Sequence, residues 1–294
     1  MMIVRRNSPR AWLLAARPKT LPAALIPVVT ATALAAAEGS FRLGAAMLCV
    51  AFALMMQVAA NFINDLYDYL KGTDREDRLG PERACAQGWI SPQAMRVGIV
   101  VTVSLACAVG LFLLAYGGWW LVWIGVACVV FAFLYTTLLS YCGLGDLLVW
   151  AFFGVVPVCG TYYVQAGHLS PAVGWICGAC ALSVDTLLVV NNYRDRDTDR
   201  AAGKRTLIVV LGERFGSLFY LLQGVAAYAC CAVLAVYGHH WAAVLPLLYL
   251  VAHVRSWHEM VSIHRGRALN RLIGGTSRNM LLLAVLLSVA LLLH

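Results

Sequence analysis

The stretch Leu43–Asp68, LGAAMLCVAFALMMQVAANFINDLYD, decides the fold. It opens as an apolar run that is long enough to cross a bilayer, which takes about 20 mostly apolar residues in a helix. It then closes on amides and carboxylates, in the order Asn61-Phe62-Ile63-Asn64-Asp65-Leu66-Tyr67-Asp68. Charge near hydrocarbon is expensive, so it is usually kept for function. The stretch therefore predicts a membrane-spanning helix that carries a polar site at one end.

A second stretch repeats this arrangement. The apolar run at 172–190 closes on Asn191-Asn192-Tyr193-Arg194-Asp195-Arg196-Asp197-Thr198-Asp199. Residues three and four apart share a helix face, so Asn191, Asp195 and Asp199 form one stripe, as Asn61, Asp65 and Asp68 do in the first motif. Each motif presents an amide oxygen and two carboxylates in one direction, and Mg²⁺ prefers such oxygen ligands. Two motifs of this kind predict a Mg²⁺ site whose coordination is completed by substrate phosphates.

The composition sets the protein class. The chain is 62% hydrophobic and 12% charged, whereas soluble domains carry about 25% charged residues. We expect an all-α, polytopic membrane protein made of a single domain over 1–294, with nine transmembrane helices around a central cavity. The candidate spans lie near 20–37, 43–66, 96–116, 119–139, 146–166, 172–192, 216–237, 241–260 and 274–293.

The distribution of charge predicts the orientation. When the N-terminus is placed in the cytoplasm, every Lys and Arg except Arg42 falls on the cytoplasmic side of these spans. This is the positive-inside pattern. It predicts a multi-pass protein of the cell (inner) membrane, with the N-terminus and both acidic motifs on the cytoplasmic side. The net charge of +8 therefore reports topology. No basic soluble module is present in the sequence, so we expect no nucleic-acid partner.

Basic residues follow each acidic motif. Lys204 and Arg205 come directly after the second motif, and Lys71 and Arg78 follow the first. Metal ions together with Lys or Arg form a clamp for a departing phosphate group. These four residues are therefore candidate diphosphate ligands. Positive-inside topology explains Lys71 or Arg78 equally well, whereas the position of Lys204 and Arg205 next to the acidic motif favours a functional role.

Asp185 lies about two turns before Asn192, well inside the sixth predicted span. A lone carboxylate at that depth is costly. We expect it to face the central cavity, where it would hydrogen-bond Asn192 or contact an acceptor pocket. The alternative is a protonated packing residue without a functional role.

Together these motifs resemble the UbiA superfamily of intramembrane prenyltransferases. The first matches at Asn64-Asp65-x-x-Asp68-x-x-x-Gly72-x-Asp74, and the second at Asn191-Asn192-x-Arg194-Asp195-x-x-x-Asp199, followed by Gly203-Lys204-Arg205-Thr206. The segments Arg17-Pro18-Lys19-Thr20-Leu21-Pro22 and Asp77-Arg78-Leu79-Gly80-Pro81 resemble the menaquinone (MenA-type) branch. Asp146 departs from that branch, which more often has Glu there, and Asp185 stands where an apolar residue is usual.

The resemblance implies an activity and roles for individual residues. It implies Mg²⁺, a polyprenyl diphosphate donor in the lipid bilayer and, for the branch, 1,4-dihydroxy-2-naphthoate as acceptor. The implied products are demethylmenaquinol, CO₂ and diphosphate. One metal would be held by Asn64, Asp68 and Asp74, with Asp65 as a ligand or just behind one, and the other by Asn191, Asp195 and Asp199. The implied catalytic residues are Asp65, Asp68, Asp195 and Asp199, and the acceptor-pocket candidates are Asp185, Asn192 and Tyr141.

Two other functions fit parts of the sequence. The first is a prenyltransferase of the same superfamily that uses another aromatic acceptor. The second is a secondary transporter, which also carries ionisable groups in membrane helices. Transporter sites usually lie near the bilayer midplane in repeated halves, whereas both motifs here lie at cytoplasmic helix ends. The enzyme is therefore the favoured interpretation.

Overall fold

The computed structural model describes residues 4–72, 79–139 and 143–293, and in these ranges the regular structure is entirely helical. Short 3₁₀ segments lie at Pro18–Thr20, Leu234–Tyr237 and Arg267–Leu269, and a π-helical segment lies at Ala151–Val155. The α-helices are α1 (Pro9–Ala16), α2 (Leu21–Ala37), α3 (Leu43–Leu70), α4 (Pro92–Gly117), α5 (Leu121–Thr137), α6 (Gly145–Trp150), α7 (Val156–Ala166), α8 (Pro171–Ala201), α9 (Leu207–Leu211), α10 (Glu213–Val233), α11 (Trp241–Val244), α12 (Leu247–Ile263) and α13 (Asn270–Leu292).

The polytopic all-α membrane architecture is confirmed, but the count of nine spans is not. Within the described ranges, seven helical stretches are long and apolar enough to cross a membrane. The fourth and eighth predicted spans correspond to α5 and α12, which have only 17 residues each. The remaining seven run over Pro9–Ala37, Leu43–Leu70, Pro92–Gly117, Gly145–Ala166, Pro171–Ala201, Glu213–Tyr237 and Arg267–Leu292.

Both acidic motifs lie on continuous helix. Helix α3 extends to Leu70 and α8 extends to Ala201, so each apolar span continues beyond its hydrophobic part as a polar helical end. Helix α8 is the central element, because 72% of its most apolar window is buried inside the protein. It packs against α10, α6 and the π-helical segment, while α3 packs on α4, and α13 on α2.

Small residues allow these helices to approach closely. A Cβ atom added at Gly154 of the π-helical segment would lie 2.5 Å from Cβ of Ala181 on α8. Such close approach is how helices associate in membranes, where the hydrophobic effect offers little drive between spans. The largest apolar cluster follows the same pattern, since it gathers alanines of α2, α8 and α13 around Tyr162 and Ile176. These contacts pack α8 with α2 and α13, and α2 in turn contacts α3.

Helix α5 is packed more loosely than its neighbours. Its single buried residue among those described is Thr136. It lies against α3 and α4, and it meets the π-helical segment through Phe131 and Phe152, whose ring centroids are 5.1 Å apart. At its other end Trp120 packs edge-on against Tyr163 of α7, with centroids 4.9 Å apart. The space that remains around α5 becomes part of the site described next.

Candidate active site

Two cavities meet at the ends of the motif-bearing helices. A polar cavity of about 240 Å³ is lined by residues of both motifs, and an apolar cavity of about 680 Å³ extends from it between α2, α3, α4, α5 and α8. Asn64, Tyr135 and Asn191 line both cavities, so the two are contiguous. Residues along nearly the whole of α5 line the apolar cavity. The site therefore combines a polar chamber with a long apolar compartment.

Arg83 organises the first motif. Its Nη1 donates to the side-chain and main-chain oxygens of Asn64, at 2.9 and 2.7 Å, and its Nη2 lies 2.6 Å from an oxygen of Asp68. Arg83 is buried, with 7% of its surface exposed. A cation therefore lies between the two oxygen donors that the sequence had assigned to a metal. Arg83 also lines the polar cavity, and its only signal in the sequence is that it follows the first motif.

The other two residues of the first stripe bond to the protein, although Asn61 also lines the apolar cavity. Asp65 is completely buried, and its two oxygens accept hydrogen bonds from the backbone N–H groups of Ala84 and Cys85, at 2.9 and 2.8 Å. Asn61 donates to the carbonyl of Ala16 at 2.9 Å and to the hydroxyl of Thr20 at 3.1 Å. Asp65 is absent from the described residues that line the cavities. The geometry of Asp65 therefore favours a structural role, in which it holds residues 83–85 next to the site. It does not favour direct metal ligation.

The second motif contains a similar pair. Arg194 is buried, and its Nε and Nη2 donate to the two oxygens of Asp195 at 2.7 and 2.5 Å. Asp199 lies 3.5 Å from the Lys204 ammonium. Asn191 donates from its amide nitrogen to the carbonyl of Leu187. Asp195, Asp199 and Lys204 line the polar cavity. Each acidic motif thus presents a carboxylate that is balanced by one buried arginine.

The donor set fits Mg²⁺. In the described ranges no three His, Cys, Asp or Glu side chains lie close enough together to hold a metal ion. The amide and carboxylate oxygens at the polar cavity are instead distributed over Asn64, Asp68, Asp146, Asn191, Asn192, Asp195 and Asp199. Mg²⁺ commonly uses one or two carboxylates and completes its octahedron with water and substrate phosphates. The cavity thus suits ions that share their ligands with a bound diphosphate.

The sequence matches the UbiA prenyltransferase family over residues 24–272. The chain belongs to that family. It is 35% identical over 261 residues to the 1,4-dihydroxy-2-naphthoate octaprenyltransferase of Escherichia coli (strain K12), covering 84% of each chain. It is 37% identical to the enzyme of that name from Mycobacterium tuberculosis (strain ATCC 25618 / H37Rv), covering 74% of this chain and 75% of the relative.

Solved structures share the fold. A UbiA homolog from Archaeoglobus fulgidus bound to GPP and Mg²⁺ superimposes with a TM-score of 0.71 at 14% identity, over 96% of this chain and 99% of that one. At this identity the likeness concerns the fold alone. The family resemblance inferred from the motifs is confirmed, and both motifs lie inside the matched range.

The four predicted diphosphate ligands of this UbiA-family chain are dispersed. Lys204 belongs to the described lining of the polar cavity and Arg205 does not; the Arg205 side chain is exposed. Lys71 donates to the carbonyls of Thr137 and Thr136 at 2.6 and 3.3 Å, where it satisfies backbone acceptors that the end of α5 leaves unpaired. Arg78 lies outside the described residues, as does the predicted metal ligand Asp74. Arg17, a weaker candidate in the sequence, lines the polar cavity.

The acceptor-pocket candidates also separate. Asn192 lines the polar cavity, and Tyr141 lies outside the described residues. Asp185 is completely buried, and it is missing from the described residues around both cavities, so its position facing the central cavity stays a prediction. It accepts hydrogen bonds from Trp150 Nε1 at 2.9 Å and from Gln223 Nε2 at 2.5 Å instead of bonding Asn192. Its position on α8 directs it toward α6 and α10, which supply those two donors.

Proposed function

We propose that this protein transfers a polyprenyl group from polyprenyl diphosphate to 1,4-dihydroxy-2-naphthoate, with release of diphosphate and CO₂ and formation of demethylmenaquinol. The observation that carries the proposal is the polar cavity between two acidic helix ends, which opens directly into an apolar cavity of about 680 Å³. A substrate with a diphosphate head and a long hydrocarbon tail matches both compartments. The relatives whose names state this reaction support the choice of acceptor.

The enzyme is Mg²⁺-dependent in this proposal. Asn64 and Asp68, with Asp74, hold one ion, and Asn191, Asp195 and Asp199 hold the other. Mg²⁺ supplies positive charge to a diphosphate whose negative charge grows as the allylic C–O bond breaks. Asp68, Asp195 and Asp199 are the catalytic carboxylates, and Asp65 keeps the segment with Arg83 in place. A homolog of the same fold that is bound to GPP and Mg²⁺ supports the choice of metal.

Basic side chains bind the diphosphate directly. Lys204, Arg17 and Arg83 line the polar cavity, so each of them can contact a diphosphate bound there. Preorganised cations of this kind stabilise a leaving group without reorganisation during the reaction. Arg205, Lys71 and Arg78 remain candidates from the sequence alone.

The reacting carbon lies where the two cavities join. Tyr135 lines both, and an aromatic face stabilises a nearby cation by about 0.5–2 kcal/mol. The C–O bond breaks with its electron pair going to diphosphate, and the ring carbon that bears the carboxylate forms the new C–C bond. The bond to the carboxylate then breaks, CO₂ leaves, and its electron pair restores the aromatic ring. The apolar lining excludes water, which would otherwise capture the allylic cation.

The reaction takes place at the cytoplasmic side of the cell inner membrane. The basic residues around both motifs support a cytoplasmic position for this end of the bundle. The loosely packed side of α5 lets a tail longer than the cavity extend into lipid, because residues along nearly the whole helix border the apolar cavity.

A membrane assay with paired substrates tests the proposal. Membranes that contain the protein are supplied with several polyprenyl diphosphates and aromatic acceptors, with Mg²⁺ or with a chelator. We expect prenylated product and equimolar CO₂ from 1,4-dihydroxy-2-naphthoate, and neither in the presence of chelator. If another acceptor gives a prenylated product without CO₂, the proposed acceptor is wrong and the proposed reaction class, prenyl transfer, is retained. Movement of a solute across vesicles with no product from any acceptor would favour a transporter.

A further inference from the structure

Asn270, the first residue of α13, bridges elements that lie far apart in the chain. Its Oδ1 accepts a hydrogen bond from Arg194 Nη1 at 2.8 Å, and its Nδ2 donates to the carbonyl of Leu79 at 2.8 Å. These partners are separated from it by 76 and 191 residues. An asparagine near a helix start commonly caps that helix, but the N-cap position here is Leu269. The side chain of Asn270 bonds to two other parts of the molecule.

The contact with Arg194 reaches the second motif. Arg194 is buried, with 4% of its surface exposed, and its Nε and Nη2 grip both oxygens of Asp195. A guanidinium group is planar, so fixing its third nitrogen fixes the plane in which the other two donate. Asn270 thereby sets the orientation of the Asp195 carboxylate without touching it.

The contact with Leu79 reaches the first motif. Leu79 opens the described segment 79–90, which follows the first motif and packs back onto it. Along this segment Arg83 bonds Asn64 and Asp68, and the next two backbone N–H groups bond Asp65. The Asn270 amide ties the start of that segment to α13. The tie rests on a well-anchored element, because Leu269 and Leu272 on either side of Asn270 are buried in an apolar cluster.

We propose that Asn270 is a positioning residue that couples the two acidic motifs, so that they form one metal–diphosphate site of fixed geometry. The proposal rests on the function proposed above, although it does not depend on the identity of the acceptor. It assigns Asn270 no contact with substrate. Its effect passes through Arg194 to Asp195 on one side, and through segment 79–90 to Asn64 and Asp68 on the other.

Two variants separate the two halves of the bridge. Asn270→Asp retains an oxygen acceptor for Arg194 and places a second oxygen against the Leu79 carbonyl, so it breaks only the contact with the first motif. Asn270→Ala removes both contacts. Asn279→Ala is the matched control, because Asn279 lies on the same helix as Asn270 and its side-chain amide also donates hydrogen bonds to another element. Its acceptors are the Ala252 carbonyl and the Ser256 hydroxyl of α12. Asn279 stands apart from the described lining of both cavities.

Three measurements on the purified full-length protein follow the coupling. The first is the melting shift that Mg²⁺ and inorganic diphosphate produce together, without acceptor or turnover. The second is the amide hydrogen exchange of peptides within 79–90 in the absence of Mg²⁺. The third is the Mg²⁺ concentration that gives half-maximal prenyl transfer.

We expect Asn270→Ala to raise the half-maximal Mg²⁺ concentration about tenfold or more, as loss of a group behind a metal ligand commonly does. Its melting shift with Mg²⁺ and diphosphate should fall, and exchange in 79–90 should accelerate. Asn270→Asp should accelerate the same exchange while keeping a larger melting shift than the Ala variant. Asn279→Ala should resemble the wild type in all three measurements.

The possible failures are distinguishable. A melting shift and Mg²⁺ requirement in Asn270→Ala equal to those of Asn279→Ala would overturn the bridge. If Asn270→Ala does not fold, unchanged exchange in Asn270→Asp would overturn it instead. A wild-type protein that Mg²⁺ and diphosphate do not stabilise would contradict the proposed metal–diphosphate site itself, whatever the variants do.

Discussion

Asp68 and Asp195 each form an ion pair with a buried arginine, at 2.6 Å to Arg83 and 2.5 Å to Arg194. In such a pair, removal of one partner leaves the other charge uncompensated. The carboxylates therefore serve two purposes, since they balance the arginines and present oxygen to the polar cavity. A substitution at either position is expected to affect the chemistry of the site more than the helices that carry it.

Asp68→Ala and Asp195→Ala should each lower turnover by about 100-fold or more, because each removes an oxygen donor that holds charge next to the leaving group. Prenyl transfer in membranes measures the loss, and size-exclusion chromatography in detergent checks folding. Asp197→Ala is the control, because Asp197 lies on α8, as Asp195 does, and its side chain is exposed. This variant should retain activity. Near-normal turnover in either site variant would contradict the two-motif site.

Lys204 and Arg205 should behave differently although they are neighbours. Lys204 lies 3.5 Å from Asp199 and lines the polar cavity, whereas Arg205 is exposed outside the described lining. Lys204→Ala should raise the KM for the diphosphate donor by about tenfold, a loss of about 1.4 kcal/mol, with a smaller change for the aromatic acceptor. Arg205→Ala should stay within about twofold of the wild type. Equal losses in both variants would restore the sequence-based assignment of both residues to diphosphate.

The sequence predicted well which types of residue meet at the site. It predicted less well which of their side chains point into the cavity. Helical spacing placed Asn61, Asp65 and Asp68 on one stripe, yet the first two bond to backbone and to Thr20. The difference arises because segment 83–85 returns over α3, and spacing within one helix carries no information about such a return. Arg83 was visible only as one cation among several.

At the scale of elements, Asp185 joins three helical segments. Its Oδ2 accepts from Trp150 at the end of α6 and from Gln223 of α10, while the residue itself lies on α8. Trp150 directly precedes the π-helical segment, whose Phe152 and Phe153 line the apolar cavity. Such π-helical insertions are frequent at functional sites. Asp185 therefore supports the wall of the cavity from behind.

Asp185→Leu should insert into the membrane but destabilise the folded protein by about 1–3 kcal/mol, because the buried amide of Gln223 loses its acceptor. It should change the KM for the acceptor more than the Mg²⁺ requirement, because it releases α6 and the π-helical segment while the motif ends of α3 and α8 stay in place. Thermal unfolding in detergent and acceptor titrations measure both effects.

Asp185→Asn is the matched control, since its single carbonyl oxygen can accept from both Trp150 and Gln223 and should preserve stability and kinetics. A Leu variant that is indistinguishable from the Asn variant would reduce Asp185 to a tolerated packing residue.

The apolar runs predicted the helices well, because about 20 consecutive apolar residues leave few alternatives in a membrane. The π-helical segment and the short α5 were not predicted. The π-helical segment lies where Gly154 meets Ala181 of α8, so it makes close contacts with another helix. No periodicity within one segment encodes these contacts.

At the scale of the whole molecule, the charged side chains of the site and the apolar cavity lie at different positions along the axis of the helix bundle. The acidic motifs, Lys204 and the arginines that line the polar cavity gather at one end of the bundle, and the apolar cavity extends away from them beside α5. A diphosphate can therefore enter from water while its tail remains in lipid-like surroundings. This arrangement explains why such a transferase is built within the bilayer and predicts that only one membrane face gives access to the site.

Sealed vesicles of opposite orientation test this access. The positive-inside pattern predicts that the polar cavity lies at the cytoplasmic face, and a short, water-soluble donor such as geranyl diphosphate carries too much charge to cross hydrocarbon. Added from outside with Mg²⁺ and acceptor, it should support prenyl transfer in inverted vesicles, which expose the cytoplasmic face. Right-side-out vesicles should show less than about a tenth of that rate until detergent opens them, after which both preparations should match. Higher activity in right-side-out vesicles would reverse the proposed orientation, and equal activity in the two sealed preparations would contradict access from only one face; neither result would affect the chemistry of the site.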